Sequence, residues 1–344
     1  MKFFIKNLIF VILFSCASRD IKTSKFAKIN DKNEYENNYI NYEKKSINKT
    51  KFLSFFFKNI FNPPEKVFFP LVNINKKVYQ DNVSLLTWSG HSTFLFQKHN
   101  FNILIDPHLS GRASPFSFLG PKRYTPSVFK KDNLPRIDIV AISHNHYDHL
   151  DLKSLKIIYE KSPKTIFLVP LGDKKLLIKN GLKNVIEFDW WESYETEHLK
   201  FVFTPVQHWS KRTFLDRNKS LWGGWWIESK DFKFLHLGDT GYTKDFIDIK
   251  KKLGSPDLVA IPIGAYSPRS IMKFSHLDPD EALQAFVDLD AKAAVGMHWG
   301  TFILSQEPVD EPIKIIKKQL KKYNIKEKNF MILRHGESLS LDKL

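Results

Sequence analysis

Three histidines and an aspartate fall within the six residues His144-Asn145-His146-Tyr147-Asp148-His149, directly after the apolar run 137–142. Imidazole and carboxylate are the preferred side chains for zinc and similar divalent ions, and an open catalytic site needs several that converge. At this spacing His144 and His146 can face one ion, while Asp148 and His149 turn toward a second. A His-rich solvated turn is the plain alternative, but it gives no reason for H-x-H-x-D-H at the end of a buried strand. Three later residues suit the same centre. His208 follows a strand ending at Val206, Asp239 lies in the glycine-bounded turn Gly238-Asp239-Thr240-Gly241, and His298 follows a strand ending at Met297. Singly each is a weak signal. Together with the His-rich turn they supply ligands for two ions and leave a position for water.

These residues need a frame. The β-branched run before Ser143 reads as a buried strand, and a helical pattern begins near Leu152. Upstream, 83–88, 92–97 and 101–106 read as a strand meander turned at Gly90-His91. Residues 108–135, rich in Gly, Pro, Ser and aromatics, read as a long loop of the kind that is usually functional. A strand at 165–169, a helix at 173–180 and a strand at 185–188 follow. The second half repeats the plan, with strands at 199–206, 222–228 and 232–237, then helix 244–253, strand 257–263, helix 278–289 and strand 293–297. Strand clusters followed by alternating strands and helices occur twice. That predicts an α/β fold of two face-to-face sheets with helices outside, an αββα four-layer sandwich. In both halves the candidate ligands stand at strand ends.

With 344 residues, 42% hydrophobic and 14% aromatic, the chain can build a sizeable core. Its formal net charge of +16 is concentrated in lysines before Phe61 and between Lys314 and Lys328. Such a balance suits an anionic partner, either nucleic acid or an acidic membrane surface; a bias toward Lys, Asn and Ile explains it equally. Cys16 is the single cysteine, so no intramolecular disulfide can form. Lys2 and Lys6 precede the apolar stretch Leu8-Ile9-Phe10-Val11-Ile12-Leu13-Phe14, which is too short to span a bilayer but suits a signal-peptide core. Leu13-Phe14-Ser15-Cys16 then resembles the bacterial lipobox, in which the cysteine is lipidated. The expected organisation is a lipoprotein-type signal peptide at 1–16, a polar Lys/Asn-rich tether with an aromatic arm at 17–62, and a hydrolase domain at 63–344. The expected location is a bacterial membrane, anchored on the periplasmic or outer side.

The order H-x-H-x-D-H, then His, Asp and His, resembles the metallo-β-lactamase superfamily. The surrounding words resemble one branch of it, the N-acyl-phosphatidylethanolamine-hydrolysing phospholipase D family, over roughly 88–340. They include Asp106-Pro107, Gly120-Pro121-Lys122-Arg123, Asp189-Trp190-Trp191-Glu192, Gln207-His208-Trp209, Gly238-Asp239-Thr240-Gly241-Tyr242, His298-Trp299-Gly300-Thr301-Phe302 and His335-Gly336-Glu337-Ser338. The resemblance implies two zinc ions, one held by His144, His146 and His208 and the other by Asp148, His149 and His298, with Asp239 bridging. It implies that Asp106 orients a ligand histidine from outside and that His276 lies beside the substrate. Asp148, Asp239 and His276 are then the catalytic residues. His91 and His236 read as structural. The chain departs from the family in the loop 114–120, where Ser117 and Phe118 replace the Gln and Tyr of the vertebrate enzymes.

The activity so implied is that of a zinc-dependent phosphodiesterase of phospholipase D type. It would cleave N-acyl-phosphatidylethanolamine or related glycerophospholipids to phosphatidic acid and an N-acylethanolamine or other alcohol. A broader hydrolase of the same fold, acting on RNA, a cyclic nucleotide or a lactone, is the alternative. A lipid-anchored binding protein without catalysis has no need of seven intact ligands. The partners expected are a membrane phospholipid as substrate and the membrane surface through lipidated Cys16. No nucleic acid is expected, and a homodimer is left open.

Overall fold

The computed structural model describes residues 23–39 and 49–344; the signal-type stretch with Cys16 lies outside the described residues. Two seven-stranded sheets form its centre. The first runs in the order Ser338–Ser340, Leu85–Gly90, Thr93–Lys98, Phe101–Ile105, Ile139–Ala141, Ile166–Pro170, Val185–Phe188. Its first four strands pair antiparallel and the rest are added in parallel. The second follows the same plan from Ser193–Glu195 through Lys200–Thr204, Gly224–Glu228 and Lys233–His236, then in parallel Leu258–Pro262, Ala293–Met297 and Phe330–Met331. Parallel neighbours need crossovers, and helices supply all of them but the one from Phe101–Ile105 to Ile139–Ala141, which is a long loop.

Period-two alternation decides which side chains meet between the sheets. Along Thr93–Lys98, Phe94 and Phe96 enter the central core, while Leu95 joins the outer cluster with Leu155, Ile158 and Leu177. Those three belong to the helices Leu152–Lys161 and Lys174–Lys179. Phe96 stacks on Phe234 of the opposite sheet with ring centroids 5.4 Å apart. Trp225 Nε1 donates across the sandwich to Ile142 O at 2.9 Å. The helices Asp245–Leu253, Pro279–Asp288 and Glu311–Gln319 contribute Phe246, Ile249, Leu283, Phe286 and Ile316 to the central cluster. Local chemistry starts two of the helices. Asp151 caps Leu152–Lys161, and Asp278 with Glu281 forms a capping box that encloses Pro279 at the first helical position. The result is the αββα sandwich that the pattern predicts.

One expectation changes. Part of the proposed tether is fixed to the domain. Residues 28–29 and 35–36 form a short antiparallel hairpin, and Tyr35 is fully buried. The Asp189 carboxylate accepts from Ser24 Oγ and from the backbone N–H groups of Lys25, Phe26 and Ala27 at 2.6–3.3 Å. The polar composition hid this strap because hydrogen bonds and two isolated buried side chains, Ala27 and Tyr35, hold it rather than a periodic apolar face. The aromatic arm is the helix Lys49–Phe61, with Phe57 and Phe61 exposed and Asn59 Nδ2 donating to Leu304 O. Among the described residues no helix is long and apolar enough to cross a membrane. The stretch 108–135 is a long loop as expected, with a single isolated bridge between Arg112 and Lys122.

Candidate metal centre

The first sheet delivers the His-rich turn just beyond Ile139–Ala141. His149 N and Leu150 N both donate to His146 O, at 3.1 and 2.8 Å, which closes the turn tightly. Arg212 Nη1 braces it by donating to Asn145 O and Leu150 O, each at 2.8 Å. From the second sheet, His208 follows Lys200–Thr204, Asp239 follows Lys233–His236 and His298 follows Ala293–Met297. The two turns touch at Gly238, whose φ is 63°; a Cβ there would lie 2.7 Å from Ser143 Cβ. Only glycine lets Asp239 approach this closely. Non-glycine residues with left-handed φ also gather here: His91 at 54°, Asp106 at 43° and His298 at 63°. Backbone strain of this kind collects where the surroundings dictate a functional geometry.

All seven expected ligands converge. His144 Nε2 lies 2.8 Å from His146 Nδ1, which lies 3.2 Å from His208 Nε2. Nitrogens each ~2.0–2.1 Å from one tetrahedral zinc sit about 3.3 Å apart. In the second group, His149 Nε2 is 3.4 Å from Asp148 Oδ2, and His298 Nε2 is 3.5 Å from the same oxygen. Asp239 lies between the groups. Its Oδ1 is 3.1 Å from His298 Nε2, and its Oδ2 is 3.2, 3.8 and 3.9 Å from His149, His208 and His144 Nε2.

Outer partners set the tautomers. The single proton of Ser143 Oγ goes to Asp106 Oδ2 at 2.6 Å, so Ser143 Oγ accepts from His144 Nδ1–H at 3.0 Å and leaves Nε2 facing inward. His149 Nδ1 donates to Asp106 Oδ2 at 2.7 Å and His208 Nδ1 to Ser275 O at 2.9 Å, with the same consequence. Asp106 thus occupies the orienting place expected of it. His276 lies at the rim, its Nδ1 3.9 Å from Asp239 Oδ2 and its carbonyl held by Arg269 Nη1 at 2.8 Å. Its nitrogen also lies close enough to His208 and Asp239 to share an ion with them.

The electrostatics of the two groups differ. Burial keeps His144 neutral and holds His146 and His208 down to about 3, the state a ligand needs. Burial opposes charge on His149 and His298 as well, but Asp239 outweighs it, together with Asp148, and raises His298 to about 9. Burial likewise opposes ionisation of Asp148 and Asp239, yet the adjacent histidines hold both well below the usual carboxylate range. Two ionised carboxylates, Asp239 buried and Asp148 largely so, call for positive charge at their centre. His149 Nε2, His298 Nε2 and Asp239 Oδ1 are buried and lack hydrogen-bond partners among the described residues. Buried polar atoms seldom go unpaired, so these donors fit divalent metal ions.

Sequence reasoning missed some contributors. His91, read as structural, places Nε2 2.8 Å from Asp148 Oδ2 and so orients a ligand from outside. Its position on the turn after Leu85–Gly90 was the available signal. His236 does act on the backbone, accepting from Gly238 N and donating to Ser92 O. Arg212 and Asn37, whose side chain pairs with the main chain of His208, lie in segments without a motif.

The chain is similar to known proteins. Residues 101–299 match the beta-lactamase superfamily domain. The chain is 37% identical over 281 residues to N-acyl-phosphatidylethanolamine-hydrolyzing phospholipase D 1 of Caenorhabditis elegans, covering 78% of this chain and 79% of that protein. It is 39% identical over 233 residues to the mitochondrial N-acyl-phosphatidylethanolamine-hydrolyzing phospholipase D of Saccharomyces cerevisiae. That match covers 66% of this chain and 49%, about half, of the relative. Among solved structures, the metallo hydrolase Igni18 of Ignicoccus hospitalis superposes with a TM-score of 0.55 at 22% identity, covering 74% of this chain and 97% of its own. An isothiocyanate hydrolase from Delia radicum gut bacteria gives 0.59 at 18%, covering 75% and 99%. These two structures share the fold.

Proposed function

The chain belongs to the N-acyl-phosphatidylethanolamine-hydrolysing phospholipase D family of the metallo-β-lactamase superfamily, and from that premise we propose that it is a binuclear zinc phosphodiesterase that cleaves glycerophospholipids on the headgroup side of phosphorus. As a metal-dependent hydrolase it needs a centre, and the observation that carries the reading is the convergence of two ligand groups on the shared carboxylate of Asp239. His144, His146 and His208 would hold one zinc, and Asp148, His149 and His298 the other. When bound, two such ions supply an activated water and neutralise charge on the phosphate oxygens. The chain's own residues do the rest. Asp106 and Ser143 fix the inward nitrogens of His149 and His144, and His91 fixes Asp148. His276, at the rim beside Asp239, is placed to touch the phosphodiester or its leaving alcohol.

Substrate preference follows from the loop 114–120. Phe116, Phe118 and Leu119 are exposed there, Phe118 at 76%, and offer apolar surface to acyl chains. Ser117 is short, and Arg112 Nε is engaged by its carbonyl at 2.9 Å. A pocket without a long hydrogen-bonding side chain discriminates weakly against substrates lacking the matching group. Phosphatidylethanolamine is therefore expected to be cleaved alongside the N-acylated lipid. Mass spectrometry of extracted lipids should show phosphatidic acid from both, with kcat/KM values within about a hundredfold, some 2.7 kcal/mol. A larger preference would place discrimination elsewhere in the pocket. No phosphatidic acid from either lipid, with turnover of RNA, a cyclic nucleotide or a lactone instead, would overturn the substrate class.

The same reading takes Cys16 as the lipid anchor, which brings the enzyme to its substrate. Cys16→Ser is expected to shift the protein from the membrane to the soluble fraction, or to leave it unprocessed. A clickable fatty-acid label that persists in the variant would sink the anchor.

A further inference from the structure

His208 lies in irregular chain beyond the strand Lys200–Thr204. The residue before it, Gln207, is held by Gly241 N donating to Gln207 O, by Thr240 Oγ1 accepting from Gln207 N and by its own Nε2 donating to Phe274 O at 3.1 Å. The main chain of His208 itself is paired by a side chain from far away. Asn37 Nδ2 donates to His208 O at 2.9 Å, and Asn37 Oδ1 accepts from His208 N at 2.9 Å. One side-chain amide thus does what a neighbouring strand would do. Its orientation is unambiguous, because the indole Nε1 of Trp222, a donor only, also points at Oδ1, at 2.9 Å. Asn37 is 8% exposed.

The rest of the segment 23–39 is fixed at points around this contact. Ser24 to Ala27 close on the Asp189 carboxylate, Tyr35 N donates to Asn218 O at 2.9 Å, and Asn38 Nδ2 donates to Asp245 Oδ1 at 2.8 Å. Lys219 Nζ returns hydrogen bonds to Lys32 O and Asn33 O. We infer that residues 23–39 are a strap belonging to the metal centre, and that Asn37 is a positioning residue that holds His208 as a ligand. The inference rests on the binuclear reading above. Ser275 O fixes the imidazole ring from one end, and Asn37 fixes the backbone from the other. Without Asn37, two main-chain groups beside the centre lose their partners and the loop can carry Nε2 away from His144 and His146. Outer partners of this kind typically change metal affinity 10–100-fold when removed.

The test is zinc titration of the full-length, metal-depleted protein by calorimetry, beside thermal melts of the metal-free forms. The wild type should take up two equivalents. Asn37→Ala should weaken one of them by 10–100-fold and leave the other within about threefold. Asn38→Ala, which loosens the strap where it meets Asp245 and not His208, should leave both unchanged. If Asn37→Ala does not accumulate, Asn37→Asp carries the same test. It keeps the acceptor for His208 N and Trp222 Nε1, and replaces the donor to His208 O with a carboxylate oxygen, which accepts only when ionised. Unchanged binding of both equivalents, or equal weakening of both, overturns the inference even if the melting point falls. A wild type that binds fewer than two equivalents sinks the binuclear reading and this inference with it.

Discussion

Asp239→Asn is expected to lower kcat on N-acyl-phosphatidylethanolamine by about a thousandfold, roughly 4 kcal/mol of transition-state stabilisation, with the fold retained. The substitution is nearly isosteric and the site is 2% exposed, so packing has little reason to change. Charge is what changes. Asp239 stays ionised despite burial because His149 and His298 hold it so, and its two oxygens face both ligand groups. An amide removes that negative charge and turns an N–H donor toward a nitrogen that needs its lone pair for metal. Zinc content should fall together with kcat, while circular dichroism stays as in the wild type. A variant that kept more than a tenth of wild-type kcat would show that Asp239 does not bridge.

Legibility in the sequence followed the range of the physics involved. The His-rich turn is local: six consecutive residues carry ligand chemistry, and the β-branched run before them marks the strand that presents them. The inner strands from 85 to 297 could be placed to within two or three residues because apolar runs and glycine or proline breaks mark their ends. His208, Asp239 and His298 were readable from their recurrence at strand ends, aided by the family words. Short edge strands such as Ser193–Glu195 and Ser338–Ser340 carry too few residues to show a period. The helix Glu311–Gln319 was hidden in lysine-rich sequence, where only Pro312 and Ile316 are buried. Most opaque were contacts in which a polar side chain meets backbone across the whole chain. Asn37 reaches His208 over a separation of 171 residues, and Asp189 reaches Ser24 over 165. Neither leaves a periodic mark, and a Lys/Asn-rich segment looks alike whether it is solvated or strapped down.

Removing metal should lower stability as well as abolish turnover. The purified protein is expected to hold close to two zinc ions per chain, and a strong chelator should reduce its melting temperature by on the order of 10 °C. Metal that binds only the native state adds about 4 kcal/mol per site when free zinc is a thousandfold above Kd. For a chain of this size each kcal/mol is worth roughly 2 °C. The centre explains why the dependence should be steep. His149 Nε2, His298 Nε2 and Asp239 Oδ1 are buried and lack hydrogen-bond partners among the described residues. Three further imidazole nitrogens of His144, His146 and His208 converge within 2.8–3.2 Å contacts. Groups so placed are poorly satisfied by one another and well satisfied by cations, so the ions relieve a cost that the fold itself imposes. Elemental analysis before chelation, melting curves before and after it, and recovery on adding zinc back together make the check. One ion or none under zinc-replete conditions would refute the binuclear reading. A melting temperature indifferent to the loss of two ions would mean that the hydrogen bonds around Asp106, His91 and Asn37 hold the ligands in place unaided.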